Sequence, residues 1–146
     1  MNTAEYITIL ADTLANGGGS FNATTSNKVS KPKGYWVANT DILPTLIIPV
    51  EQLAGLQALS EKNYTDAAID ALDAVCDLAL FCDAIRHCGR ANSFLGTWVD
   101  DGKIYVDCST IIANRENALS VAKRRGELAI WSNAEGKAIP TGIEEK

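Results

Sequence analysis

The spacing of apolar residues along the chain predicts three helices in its first two thirds, over residues 3–15, 50–60 and 65–88. Apolar positions recur with a helical period over residues 3–15 and again over 65–88, the longest periodic stretch, where Thr65 is a suitable N-cap. We expect the buried side of this central helix to consist of Ile69, Leu72, Val75, Cys76, Ala79 and either Phe81 or Cys82.

Shorter apolar runs predict strands on either side of the central helix. Residues 34–48 are expected to form a β-hairpin, with a polar turn over Asn39-Thr40-Asp41 and Pro49 ending the second strand. Residues 94–140 predict a ββαββ unit, whose first turn, Asp100-Asp101-Gly102, is a strong hairpin signal.

Within that unit, a helix over 114–125 follows strand 103–108 and precedes strand 127–131. Such a connection is a right-handed crossover between parallel strands. The prediction is therefore an α+β fold: a small mixed β-sheet, made of hairpin 34–48 and the ββαββ unit 94–140, packed by the long helix 65–88 and shorter helices.

A polar stretch separates the first helix from the first predicted strand. Residues 17–33 begin with three glycines and a serine and contain almost no apolar side chains, which predicts a flexible linker. The chain is then divided into an N-terminal helix over 1–16, this linker, and a single α+β domain over 34–146. A tethered helix could dock on its own domain, on a second copy or on a partner, and the second of these would give a homodimer by exchange.

Composition narrows the class of protein. The chain has 146 residues, 47% of them hydrophobic and 21% charged, as in an ordinary globular domain. Its net charge of −5 and pI of about 4.8 disfavour direct binding to nucleic acid or to an anionic membrane. The first residues lack the basic and apolar regions of a signal peptide, so we expect a cytoplasmic protein.

The most regular polar feature is a row of carboxylates on the central helix. Asp66, Asp70, Asp73 and Asp77 are spaced by four, three and four residues, so they share one side of the helix. Neighbouring like charges cost a helix a few tenths of a kcal/mol per pair. Such a row is typical of a solvated face, of a surface that meets a basic partner, or of a cation site. No second row with His faces it, so we expect no metal.

Aromatic residues supply a second candidate site. Trp36, Trp98 and Trp131 all lie on predicted strands, where they pack in a core or on a sheet face. If exposed, Trp36 and Trp98 together with Tyr105 would form a stacking pocket for a nucleotide-like ligand.

Cysteine and histidine give weak signals for catalysis. The spacing Cys-x5-Cys-x4-His-Cys over residues 76–88 does not match that of a zinc site, and free cysteines are usually buried. Asp83 and His87 are four residues apart, but no nucleophile is assigned to them. We therefore expect no catalytic residues and no cofactor.

Residues 94–142 carry a recurrent pattern: G-x-W-x-D, a hairpin, Y-x-D, a helix rich in Ala and Arg, then A-I-W and a polar turn. The matching positions are Gly96, Trp98, Asp100, Tyr105, Asp107, Ala122, Arg125, Ala129, Ile130 and Trp131. This segment resembles the C-terminal part of small uncharacterised proteins of bacteriophages and prophages. It departs from them at Ser132-Asn133, where an acidic residue usually follows the Trp. The resemblance implies a phage origin and action inside a bacterium, and it implies no particular reaction.

Together these observations favour a non-enzymatic phage accessory protein. Its acidic face would bind a protein of the bacterial host. The leading hypothesis for the effect of this binding is inhibition of a bacterial defence system, as by an anti-CRISPR. One alternative is a protein that binds or sequesters a small nucleotide-like ligand in an aromatic pocket. A second alternative is a virion or assembly component.

Overall fold

A computed structural model describes residues 2–29, 33–40, 43–88 and 93–143. They form a mixed α+β fold of four α-helices, one 3₁₀-helix and seven strands. In chain order these are α1 (Thr3–Asn16), β1 (Gly18–Phe21), β2 (Tyr35–Ala38), β3 (Leu46–Pro49), the 3₁₀-helix (Val50–Leu53), α2 (Leu56–Ser60), α3 (Asp66–His87), β4 (Ser93–Asp100), β5 (Lys103–Ile112), α4 (Arg115–Arg124), β6 (Ala129–Ser132) and β7 (Lys137–Pro140).

The strands form one sheet in the order β1-β4-β5-β2-β6-β7, with β3 also paired to β5. The β4–β5 hairpin is its centre and has the predicted two-residue turn, since Asp100 pairs with Lys103. Asp101 and Gly102 both have positive φ, as a type I′ turn requires.

The predicted hairpin over 34–48 is wrong. β2 and β3 do not pair with each other; both pair antiparallel with β5, β2 along residues 109–112 and β3 along residues 103–106. β2 and β3 thus run in the same direction along β5, one at each end of it, and the segment between them is not paired with β5. The predicted turn residue Asp41 lies outside the described residues.

The predicted mixed sheet is also corrected, because every pairing between the described strands is antiparallel. β5 and β6 do run in the same direction, as the crossover through α4 predicts. They are not neighbours, because β2 lies between them and pairs antiparallel with both. β2, which precedes the crossover in the chain, therefore lies between the two strands that the crossover connects.

The structure corrects the prediction of a loosely tethered first helix. Residues 18–21, assigned to the linker, form β1, which pairs with residues 95–98 of β4. Tyr6, Ile9 and Leu10 of α1 are buried in the same core as the rest of the molecule. Thr13 shares a hydrogen bond of 2.7 Å with Thr97 of β4, which fixes α1 on the sheet.

All four helices lie on one side of the sheet. The larger core packs α1, α2 and α3 against side chains such as Leu95 and Val106. A smaller core packs α4 against Val37, Ile130 and Ile139. Because cross-strand neighbours share a side of a sheet, the register places these side chains on the same face. We call the other side, which no described helix covers, the open face.

Candidate binding surfaces

The four predicted aspartates lie together on the outer side of α3. Asp66, Asp70, Asp73 and Asp77 are all exposed, and they occupy three turns of a helix whose opposite side is buried. At 1.5 Å per residue, the row is about 17 Å long. We refer to these four residues as the acid row.

The acid row is electrostatically uncompensated within the described part of the chain. The ion pairs found there involve other carboxylates: Asp12 with Lys28, and Asp83 with Arg86 at 3.0 Å. The last turn of α3 thus has its charges balanced, whereas the first three turns do not. The row therefore presents four negative charges to solvent.

Apolar side chains lie directly beside the acid row. Ile69 is 48% exposed and Leu80 is 69% exposed, and exposed Cys76 lies between them. Their spacing of seven and four residues places them on one line along the helix. Ile69 and Cys76 were expected in the core, so this assignment is corrected. We refer to the three residues as the apolar row.

Small residues explain why the apolar row faces outward. Three of the eight buried residues of α3 are alanines, Ala68, Ala71 and Ala74, and each is fully buried. Alanines let the helix approach its neighbours closely, so larger residues a third of a turn away stay outside. The prediction from the sequence considered only hydrophobicity, and it therefore placed the larger residues Ile69 and Cys76 in the core.

The start of α3 is held in position by two neighbours. The Thr65 side chain accepts a hydrogen bond of 3.1 Å from the amide of Ala68, which confirms the predicted N-cap. Gly55, just before α2, lies so close that a Cβ there would be 2.2 Å from the carbonyl carbon of Ala67. These contacts fix the direction in which the acid row projects.

The open face is the second candidate surface, and it is rich in aromatic and apolar side chains. The register places on it Trp36, Ile47, Phe94, Trp98, Tyr105, Ile111 and Trp131. Three of these are largely exposed: Trp98 at 40%, Trp131 at 46% and Ile47 at 50%. Phe94 and Ile47 were missed as site residues, because only the strand register shows that they share this face with the tryptophans.

The three aromatic residues predicted as one pocket occupy two separate clusters. Trp98 stacks on Tyr105 with ring centroids 5.3 Å apart and an angle of 10° between the rings. Trp36 instead meets Phe94 edge to face, also at 5.3 Å. Trp36 pairs with Ile111, six residues along β5 from Tyr105, which corresponds to about 20 Å. The open face therefore has two aromatic ridges.

The floor between the ridges is lined by small and polar residues. Gly96 and Ser109 lie there with Asp107, which is buried and accepts a hydrogen bond of 2.5 Å from Thr45 Oγ1. Burial raises the pKa of the Asp107 carboxyl, the hydrogen bond from Thr45 opposes that rise, and the charge of Glu127 adds to it.

A cleft of about 280 Å³ lies between the turn after β1 and the end of α3, and it touches the aromatic ridges only through Phe94. It is lined by Asn22, Ala23, Thr24, Ile85, Arg86, Ser93 and Phe94. The guanidinium of Arg86 already donates to the carbonyl of Ala23 and to Asp83. Trp36, Trp98 and Tyr105 do not line this cleft.

Two of the four cysteines belong to the core. Cys82 and Cys108 are buried in the core, and burial raises the pKa of the Cys82 thiol to about 11. The His87 ring is largely exposed and contacts the backbone carbonyl of Asp83 through Nδ1 at 2.7 Å. In the described part of the chain, no three His, Cys, Asp or Glu side chains come together as metal ligands.

No described helix is both long and apolar enough to cross a membrane.

Comparison of the chain with protein-family models, with curated proteins and with solved structures finds no match. What the acid row and the open face can bind therefore follows from their own geometry and charge.

Proposed function

We propose that this chain is a non-enzymatic accessory protein that binds a protein partner through the outer side of α3. The observation that carries the proposal is the acid row, whose four carboxylates project from a fixed helix without ion pairs among the described residues. The apolar row beside it supplies area that a partner can cover. A charged rim beside an apolar strip is the usual composition of a protein interface.

The partner surface that suits the acid row is basic. Three intervals over about 17 Å give about 5.5 Å per charge, against 3.4 Å along one strand of duplex DNA. The row thus has roughly two thirds of the linear charge density of a nucleic-acid strand. A groove that binds phosphates would attract it for the same electrostatic reason.

We further propose a phage origin and, as the partner, an RNA-guided defence nuclease of the bacterial host. The support for this part is the resemblance of residues 94–142 to small phage proteins, together with the charge density of the acid row. Binding in the nuclease's nucleic-acid groove would exclude the target DNA. This is the action of an anti-CRISPR, carried out by charge and shape.

The test is a competition experiment with purified RNA-guided nucleases loaded with guide. Target DNA binding is followed by fluorescence anisotropy while the protein is added. We expect one nuclease to lose DNA binding, with inhibition that weakens as salt increases. The variant with Asp66, Asp70, Asp73 and Asp77 all changed to Asn should inhibit at least about 10-fold less, since each lost contact is worth a few tenths to 1 kcal/mol.

A matched control removes the same charge elsewhere. Glu5→Gln, Asp101→Asn, Glu116→Gln and Glu135→Gln together also change the net charge by four, and none of these residues lies on α3. This control should inhibit as the wild type does. Equal inhibition by the Asn variant, or no inhibition of any nuclease tested, would refute the proposal.

A second candidate function is binding of a nucleotide-like ligand at Trp98 and Tyr105. It is favoured by the exposure of Trp98, whose outer ring face is free for a base to stack on. The two rings already contact each other, so a base cannot insert between them. Addition of nucleotides should then quench tryptophan fluorescence and raise the melting temperature. If nucleotides change neither the fluorescence nor the melting temperature, this function is excluded.

A further inference from the structure

We propose that the open face is covered by a second copy of this chain, packed sheet against sheet. The inference is independent of partner binding by α3, because it concerns the opposite side of the molecule. It differs from the helix exchange expected from the sequence, since α1 is buried in its own core.

The open face carries few charged side chains. Among described strand residues that point to it, charge is found only on Asp100, Lys103 and the buried Asp107. Asp100 and Lys103 are cross-strand partners at the end of the hairpin, so their charges offset each other. Interfaces between identical subunits are more apolar than those between transient partners. Such a face suits a second copy better than a charged partner or a nucleic acid.

The remaining charge of the protein lies far from the open face. Each copy carries a net charge of −5, and the acid row lies on the far side of the helix layer. Two sheets pack about 10 Å apart, and each copy adds a helix layer of about 10 Å. The two acid rows are then about 30 Å from each other, several Debye lengths at physiological salt. Face-to-face packing therefore brings together the sides that carry the fewest charges.

The area of the open face is sufficient for a dimer interface. The seven strands contain 38 residues, which at about 3.4 Å per residue and about 4.8 Å between strands outline about 620 Å². Each partner buries about 600–1,000 Å² in an interface of standard size.

The two ridges and the floor between them allow a self-complementary fit. Consider a two-fold axis that lies in the plane between the two sheets, midway between the Trp98–Tyr105 ridge and the floor at Gly96. Rotation about this axis places the ridge of each copy over the floor of the other copy. Pairing through the sheet edges is less suitable. Pro140 lies on β7 at one edge, and Lys28 bridges to Phe21 outside β1 at the other.

The test is sedimentation velocity over a range of protein concentrations. We expect a species of twice 15.6 kDa for the wild type. Trp98→Lys and, separately, Ile47→Lys place a charge on the open face and should each raise the dimer dissociation constant by about 30-fold or more, as loss of a hot-spot contact does. Leu80→Lys, at a more exposed apolar site on α3, should leave the dimer unchanged.

Circular dichroism melting of each variant establishes that it is folded, and Ile47→Lys provides a second measurement if Trp98→Lys unfolds. The proposal is overturned by a wild type that stays monomeric at about 1 mM protein. It is equally overturned by a dimer that persists in both open-face variants, or by large assemblies, which would favour a virion component.

Discussion

Gly55 is the position at which a single methyl group should have the largest measurable effect on α3. Its backbone angles, φ −91° and ψ 13°, are accessible to alanine. With open space around it, Gly55→Ala would therefore stabilise the protein by about 0.4–1 kcal/mol, through the entropy of the unfolded chain. The structure predicts the opposite sign.

The magnitude follows from the contact with α3. The new Cβ would lie 2.2 Å from the carbonyl carbon of Ala67 and 2.3 Å from the amide nitrogen of Ala68. Carbon atoms pack at about 3.5–4.0 Å, so two backbone segments must separate by about 1.3 Å or more. Overpacking of this kind costs about 1–3 kcal/mol, occasionally more. We expect a net destabilisation of about 2–3 kcal/mol, or roughly 5–10 °C in Tm.

The assay is urea unfolding monitored by tryptophan fluorescence, with the midpoint and the slope m fitted separately. Gly96→Ala is the matched control, since its Cβ would meet Ser109 Oγ at 3.4 Å, an ordinary contact, and φ there is not positive. That variant should remain within about 0.5 kcal/mol of the wild type. If Gly55→Ala were as stable as the wild type at unchanged m, the close approach of α2 and α3 would be wrong.

Three further outcomes are expected. Because burial raises the pKa of Asp107, the wild type loses stability as pH rises from the ordinary value of 3.8 through the raised pKa. Asp107→Asn avoids that loss, so its Tm relative to the wild type should be higher at pH 7 than at pH 3.5; an equal difference at both pH values would contradict the assignment. Iodoacetamide at pH 8 should label Cys76 first and leave Cys82 unlabelled until the protein unfolds, as mass spectrometry of peptides will show; early labelling of Cys82 would mean that it is not buried. Thr65→Ala removes the N-cap of α3 and should cost about 0.5–2 kcal/mol in urea unfolding, whereas Thr65→Ser should cost less than half of that.

The features predicted correctly are those set by near neighbours in the chain. The cap of α3 by Thr65 and the turn at Asp101-Gly102 depend on residues within one helical turn or one hairpin. The acid row belongs to the same group, because helical spacing alone places its members on one side.

The features that were missed depend on partners far along the chain. β1 has the sequence GGSF, which is typical of a loop, and it is a strand because β4 lies beside it. A Cβ at Gly18 would be 2.6 Å from the carbonyl oxygen of Thr97, so the glycine that signals flexibility serves close packing here. The open face was invisible for the same reason: a strand pattern shows that residues alternate, but only pairing shows which side the helices cover.

The place of β5 in the sheet has a consequence for how the chain is made. β2 and β3 are synthesised well before β5, yet among the described strands β3 pairs only with β5, and β2 pairs only with β5 and β6. On the ribosome, a nascent chain that ends before residue 103 therefore exposes both strands without a partner. The apolar residues Ile47 and Ile48 then have to be shielded, by a chaperone or by α3, until β5 emerges. Translation that stops short of β5 would yield a product prone to aggregate, rather than a smaller folded protein.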